Sequence, residues 1–344
     1  MAIETSVEKS LEVYSVLASK KVAMPCFCTE NLATTHAIFA AADEIGREFD
    51  ITNVPVILSF TARYPERQQL INYTSFSDPV EGFLAVRDDA RRLARKGGRF
   101  ENVMVFAHLD HGQPDEDMDL FELGKGFLSS VMYDCSALPL QENMARTKKF
   151  KKRHRDDYLI EAIVDEIAMS GQEALILTDP ERARMYLDET EADAIVPNVG
   201  TEHQSTYIQA KYHRDRARAI RDAIGPKLVL HGSSSLSKED VKGVGEDGVI
   251  KLNIWTTFER TAGQLIARDT INNLTGILRQ ENIDSLVEEG KLGDAFREGP
   301  PAKPSLKFLT DVHRRNDIFF PTVKEMMKEY MRLLGYASLS GMTF

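Results

Sequence analysis

Four of the eight histidines in this 344-residue chain fall in three short polar clusters. These are His108-Leu109-Asp110-His111-Gly112, Gly200-Thr201-Glu202-His203 and His231-Gly232-Ser233-Ser234-Ser235. Neutral imidazole nitrogen suits borderline divalent metals, and three imidazoles with one carboxylate form a set that holds Zn2+ while leaving a position open for substrate. Any one of these histidines alone reads as a structural hydrogen bonder, whereas their recurrence after successive apolar runs points to a catalytic metal. The third cluster adds a glycine and three hydroxyls where backbone N–H groups can approach an anion. By itself it would read as a solvated turn with a capping serine; beside His231 it reads as a phosphate nest.

The elements that must position these clusters alternate. Short apolar or β-branched runs near Val22–Cys28, Val54–Phe60, Val103–Leu109, Phe127–Tyr133, Tyr158–Val164, Ala194–Val199, Lys227–His231 and Val249–Ile254 are separated by amphipathic stretches such as Leu32–Phe49 and Val80–Lys96. This is the pattern of βα units on a parallel sheet, and eight strands favour closure into a (β/α)8 TIM barrel over an open doubly wound sheet. No GxGxxG follows the first run, which also speaks against a dinucleotide-binding half. The polar clusters then lie at strand carboxyl ends, where barrels carry their chemistry. Asp134-Cys135-Ser136 and Asp165-Glu166 follow the fourth and fifth strands, and Asn253 lies in the eighth. The chain divides into a catalytic barrel over residues 1–260 and a C-terminal helical extension over 261–344, broken by Glu289-Gly290, Pro300-Pro301 and Pro304 and packed on the barrel or on a neighbouring subunit.

Composition narrows the class of partner. A net charge of −10, with Lys and Arg scattered apart from the run Lys148 to Arg155, argues against a nucleic-acid surface; that run reads as the solvated carboxyl end of a helix. Three cysteines, Cys26, Cys28 and Cys135, imply free thiols in a reducing compartment rather than a disulfide framework. The amino terminus carries acids and lacks a signal-peptide core, and no stretch reaches the roughly 18 apolar residues of a membrane span, so a soluble cytoplasmic protein acting on a small molecule is expected.

Five motifs in order carry a resemblance: His108-Leu109-Asp110-His111-Gly112; Tyr133-Asp134-Cys135-Ser136 with Pro139-Leu140-Gln141-Glu142-Asn143; Gly200-Thr201-Glu202-His203; Leu230-His231-Gly232-Ser233-Ser234; and Gly248-Val249-Ile250-Lys251-Leu252-Asn253-Ile254. Over residues 100 to 260 the chain resembles the class II, metal-dependent fructose-bisphosphate and tagatose-bisphosphate aldolases. The resemblance implies His111, His203 and His231 as metal ligands with Glu166 as a further carboxylate, and Asp110 as the catalytic acid-base at the C4 hydroxyl. It also implies Gly232 and Ser234, with Ser233 between them and Thr256, at the phosphate, and Asn253 and Ser59 as substrate contacts. The metal would be Zn2+, with Co2+, Mn2+ or Fe2+ as alternatives. The reaction would be reversible cleavage of a ketose phosphate such as fructose 1,6-bisphosphate to dihydroxyacetone phosphate and an aldehyde, in a homodimer or homotetramer. The ion would act as Lewis acid, so no Schiff-base lysine is needed.

The chain departs from that family where specificity is decided. The Gly-Gly-x-Glu-Asp loop after the fifth strand reads Ala168-Met169-Ser170-Gly171-Gln172-Glu173-Ala174, which places the nearest carboxylate, Glu173, one residue early for proton transfer at carbon. Trp255, the chain's one tryptophan, replaces a small or acidic residue; Cys28 stands for an asparagine; Thr61-Ala62-Arg63-Tyr64-Pro65 replaces a glycine-rich stretch. Arg63 is either a bidentate site for a second phosphate or carboxylate or a surface arginine. Another ketose 1-phosphate, or a barrel that binds sugar phosphate without cleaving it, are the alternatives these changes raise.

Overall fold

The computed structural model describes residues 3–169, 176–205 and 211–344. Eight parallel strands, β1 (Met24–Cys28), β2 (Val54–Thr61), β3 (Val103–Gly112), β4 (Leu128–Tyr133), β5 (Leu159–Ile163), β6 (Ala194–Val196), β7 (Leu228–Leu230) and β8 (Val249–Ile254), close in sequence order into a barrel, β8 pairing with β1. The structure is the expected (β/α)8 TIM barrel. Every described strand residue is buried, as strands walled by helices outside and by one another inside must be.

Local chemistry sets the helices between the strands. Asn31 caps Leu32–Phe49 by accepting from Thr34 N at 2.9 Å. Asp78 and Asp179 cap Pro79–Ala94 and Pro180–Thr190, each with proline at the first turn, where its missing N–H costs nothing. The helix Val7–Ser19 precedes β1, and its Leu11 and Tyr14 meet Leu159, Ile160, Val229 and Ile250 around one small cavity at the strand starts. The basic run lies on the helix Leu140–His154 and is largely ion-paired: Lys148 with Glu189, Lys151 with Asp193, Arg153 with Glu122.

Residues 1–257 and 324–344 form one compact unit, and Phe258–Val323 forms a second made of helical segments, among them Gln280–Glu288. All three cysteines are free and buried. Among the described residues no helix is long and apolar enough to cross a membrane.

Candidate active site

The carboxyl ends of β2, β3, β7 and β8 surround a cavity of about 70 Å³ whose wall includes Asp110, His111, His203, His231, Gly232, Ser233, Ser234, Asn253 and Thr256. Asp110 and His111 are consecutive, and in a regular strand they would point to opposite faces. Here the β3–β4 register shifts between Leu109 and Gly112, and His111 takes a left-handed backbone with φ 48°. That bulge turns both side chains onto the barrel mouth.

The ligating nitrogens of His111, His203 and His231 lie within 4.8 Å of one another. His111 Nδ1 donates to Asp134 Oδ2 at 2.6 Å, which fixes the tautomer and leaves Nε2 as the donor atom for a metal. His231 Nε2 is buried and makes no hydrogen bond among the described residues; carboxylate oxygens of Glu161 and Asp110 stand 3.5 and 3.8 Å away. Burial, with His111 and His231 alongside, holds His203 well below the usual imidazole range, in its neutral ligating form. An unpaired buried nitrogen among three converging imidazoles fits a divalent cation, and these residues are the ones that would hold it. Glu166 is not in this group: its side chain is exposed and lines an adjoining cavity beside His111 and His203. Glu173 lies outside the described residues.

Asp110 accepts from Asn253 Nδ2 at 3.0 Å. Burial pushes its carboxyl up, but the positive groups around it, His111 and His231 with Lys251, outweigh burial and hold it well below the usual carboxylate range. Gly232 opens the one-turn helix Ser233–Ser235 with φ 70°, and a Cβ there would stand 2.7 Å from the carbonyl oxygen of Glu202. The glycine thus lets the chain pass close against Glu202, and Gly232, Ser233 and Ser234 line the cavity. Ser233 Oγ donates to Asn253 O at 2.5 Å, and Ser234 Oγ accepts from Ser205 N at 3.0 Å, so two hydroxyls position the turn. Ser59 is buried opposite Cys28 in the β1–β2 register and is not part of the cavity wall, whereas Cys28 is.

Beneath the site is a network that the sequence reading leaves unassigned. Lys251 is 1% exposed and donates to His108 Nε2 at 2.8 Å and to Glu161 at 2.7 and 3.0 Å, while His108 Nδ1 donates to Ser130 Oγ at 2.7 Å. Despite burial, Lys251 holds the Glu161 carboxyl down at about 2. The signal was present as single charges interrupting apolar strands, in Leu159-Ile160-Glu161-Ala162-Ile163 and Val249-Ile250-Lys251-Leu252.

The altered positions also have definite places. Arg63 is committed to Asp119, through Nη1 at 2.7 Å and Nη2 at 2.8 Å, and to Asp117 at 3.1 Å, so it is a structural arginine. Tyr64 stacks on His111 with centroids 4.0 Å apart, and Trp255 lines the cavity beneath Arg67.

The family model for fructose-bisphosphate aldolase class-II matches residues 8–337. A fructose-bisphosphate aldolase of Staphylococcus aureus is 28% identical over 253 residues, covering 71% of this chain and 78% of that protein. Among solved structures, the YdjI aldolase of Escherichia coli K12 aligns with TM-score 0.64 at 19% identity, over 95% of this chain and 96% of that one. Fructose-bisphosphate aldolase of Campylobacter jejuni aligns with TM-score 0.66 at 17% identity, over 95% and 93%. At those identities the solved structures speak for the fold.

Proposed function

Because the chain belongs to the class II fructose-bisphosphate aldolase family, we propose that it cleaves and forms a ketose phosphate by reversible aldol chemistry, with dihydroxyacetone phosphate as the ketone product. The observation that carries this is the meeting, in one cavity, of an ionised Asp110, three imidazoles and a glycine-serine turn. A divalent ion held by His111, His203 and His231, with Glu166 of the adjoining cavity as the candidate further carboxylate, would supply Lewis-acid polarisation of the ketose carbonyl.

The chain's own residues supply the rest. Asp110, ionised and held by Asn253, accepts the proton of the C4 hydroxyl as the C3–C4 bond breaks and returns it in the condensation direction. Asp134 keeps His111 oriented. The turn at Gly232, Ser233 and Ser234, with Thr256, binds the phosphate, and Asn253 contacts the substrate. Proton transfer at the ketone carbon falls to Glu173 in this reading, and Ser59 supports Cys28 on the substrate side.

Fructose 1,6-bisphosphate is the first substrate to test, in a coupled assay for triose phosphate. Turnover is expected to vanish with EDTA, return with Zn2+, and fall by about 10²–10⁴-fold in Asp110→Asn. Metal-replete protein that turns over neither this nor other ketose 1-phosphates would leave a sugar-phosphate binder instead.

A further inference from the structure

Arg67 is the single arginine or lysine among the described residues lining the cavity, and neither the motifs nor the proposed mechanism uses it. Its guanidinium lies over the Trp255 ring, 4.1 Å from the centroid, and Trp255 immediately precedes Thr256. The segment that presents it is pinned at both ends. Thr61 N donates to Gln69 Oε1 at 3.0 Å, Gln69 N donates to Thr61 Oγ1 at 3.1 Å, and the Thr61 hydroxyl donates to the Arg67 carbonyl. Arg67 Nη2 pairs with Glu30, whose Oε2 also accepts from Asn72 Nδ2 at 3.1 Å. Arg67 Nε is buried and has no partner among the described residues.

An arginine held over an aromatic ring loses little freedom on binding, and a guanidinium matches phosphate oxygens. Resting on the aldolase reading above, we propose that Arg67 is the specificity-determining cation of this site, receiving a phosphate monoester of the substrate on the part of its guanidinium that Glu30 does not take, while Glu30 and Trp255 hold it in place. The phosphate belongs either to the ketone fragment or to the aldehyde fragment. Arg63, tied to Asp117 and Asp119, is not available for that task.

Trp255 is the chain's one tryptophan and lies against the proposed cation, so its fluorescence reports the event directly. The Zn2+-loaded full chain is titrated with dihydroxyacetone phosphate, glyceraldehyde 3-phosphate, inorganic phosphate and unphosphorylated dihydroxyacetone, with calorimetry in parallel. Saturable emission changes are expected with the phosphorylated ligands. Arg67→Met should weaken one of the two triose phosphates by roughly 10- to 100-fold, the range for a lost charge-assisted hydrogen bond. The triose phosphate so affected identifies the fragment. Arg67→Lys should recover part of that affinity, and dihydroxyacetone binding should not change. Triose-phosphate affinities within about twofold of wild type in Arg67→Met would overturn the proposal, as would no response to any phosphate in the wild type. Turnover that ignores Arg67 sinks this proposal and keeps the aldolase reading. Arg67-dependent binding of inorganic phosphate without turnover of any ketose does the reverse.

Discussion

Lys251 carries a charge into the barrel interior, where an ammonium is tolerated only if its hydrogen bonds are met. Glu161 and His108 meet them, so the trio His108, Asp110 and Glu161, whose ligand atoms also lie within 4.8 Å of one another, is already served by a cation of the chain's own. Lys251→Met would strand the Glu161 carboxylate, at a cost of about 3–5 kcal/mol in urea denaturation at pH 7; a loss under about 1 kcal/mol would refute the pairing. The pH dependence has a fixed sign. Glu161 is depressed in the folded state from its ordinary 4.5, so its contribution is complete above that pH and is lost as the pH falls toward about 2. The stability gap between wild type and Lys251→Met should therefore narrow through that acid window.

At the scale of elements, β3 decides whether Asp110 and His111 act together. The bulge between Leu109 and Gly112 needs room that only Gly112 leaves: a Cβ there would stand 2.8 Å from the buried Phe121 ring and 3.1 Å from Met132 O. Gly112→Ala should cost about 1–3 kcal/mol by overpacking. It should also weaken Zn2+ affinity roughly tenfold or more, as loss of ligand orientation does, read by chelator competition. Unchanged affinity would show that the bulge does not aim His111. This element also marks the limit of what the sequence discloses. All eight strands and the three histidines were legible, because apolar runs end in polar clusters and that boundary is written locally. The bulge was not, since a positive φ at a histidine has no residue signature. Arg67 and Arg63 lie four residues apart in one loop, and only the partners Asp117, Asp119 and Glu30, distant in the chain, separate a structural arginine from one in the cavity. Lys251 and Glu161 likewise find each other across 90 residues.

Across the whole barrel unit, chemistry and stability occupy opposite ends. The site lies at the strand carboxyl ends, while the chain's last residues serve the strand starts. Lys324 and Lys328 both donate to Glu44 at 2.7 Å, Thr52 N donates to Met342 O at 2.9 Å, and the buried Tyr336 hydroxyl donates to Pro55 O at 2.6 Å. Met327, Met331 and Leu339 are fully buried alongside. A barrel so divided should lose stability at one end without losing recognition at the other. Tyr336→Phe, which strands one carbonyl, should cost about 1 kcal/mol, and Tyr336→Ala, which opens a cavity, about 3–5 kcal/mol. Both should leave the affinity for dihydroxyacetone phosphate unchanged at temperatures where the protein is folded. Thermal melts and calorimetric titrations on the same samples decide it: an affinity loss in Tyr336→Phe with an unchanged melting temperature would mean that the carboxyl-terminal segment reaches the catalytic mouth through the sheet rather than supporting its base.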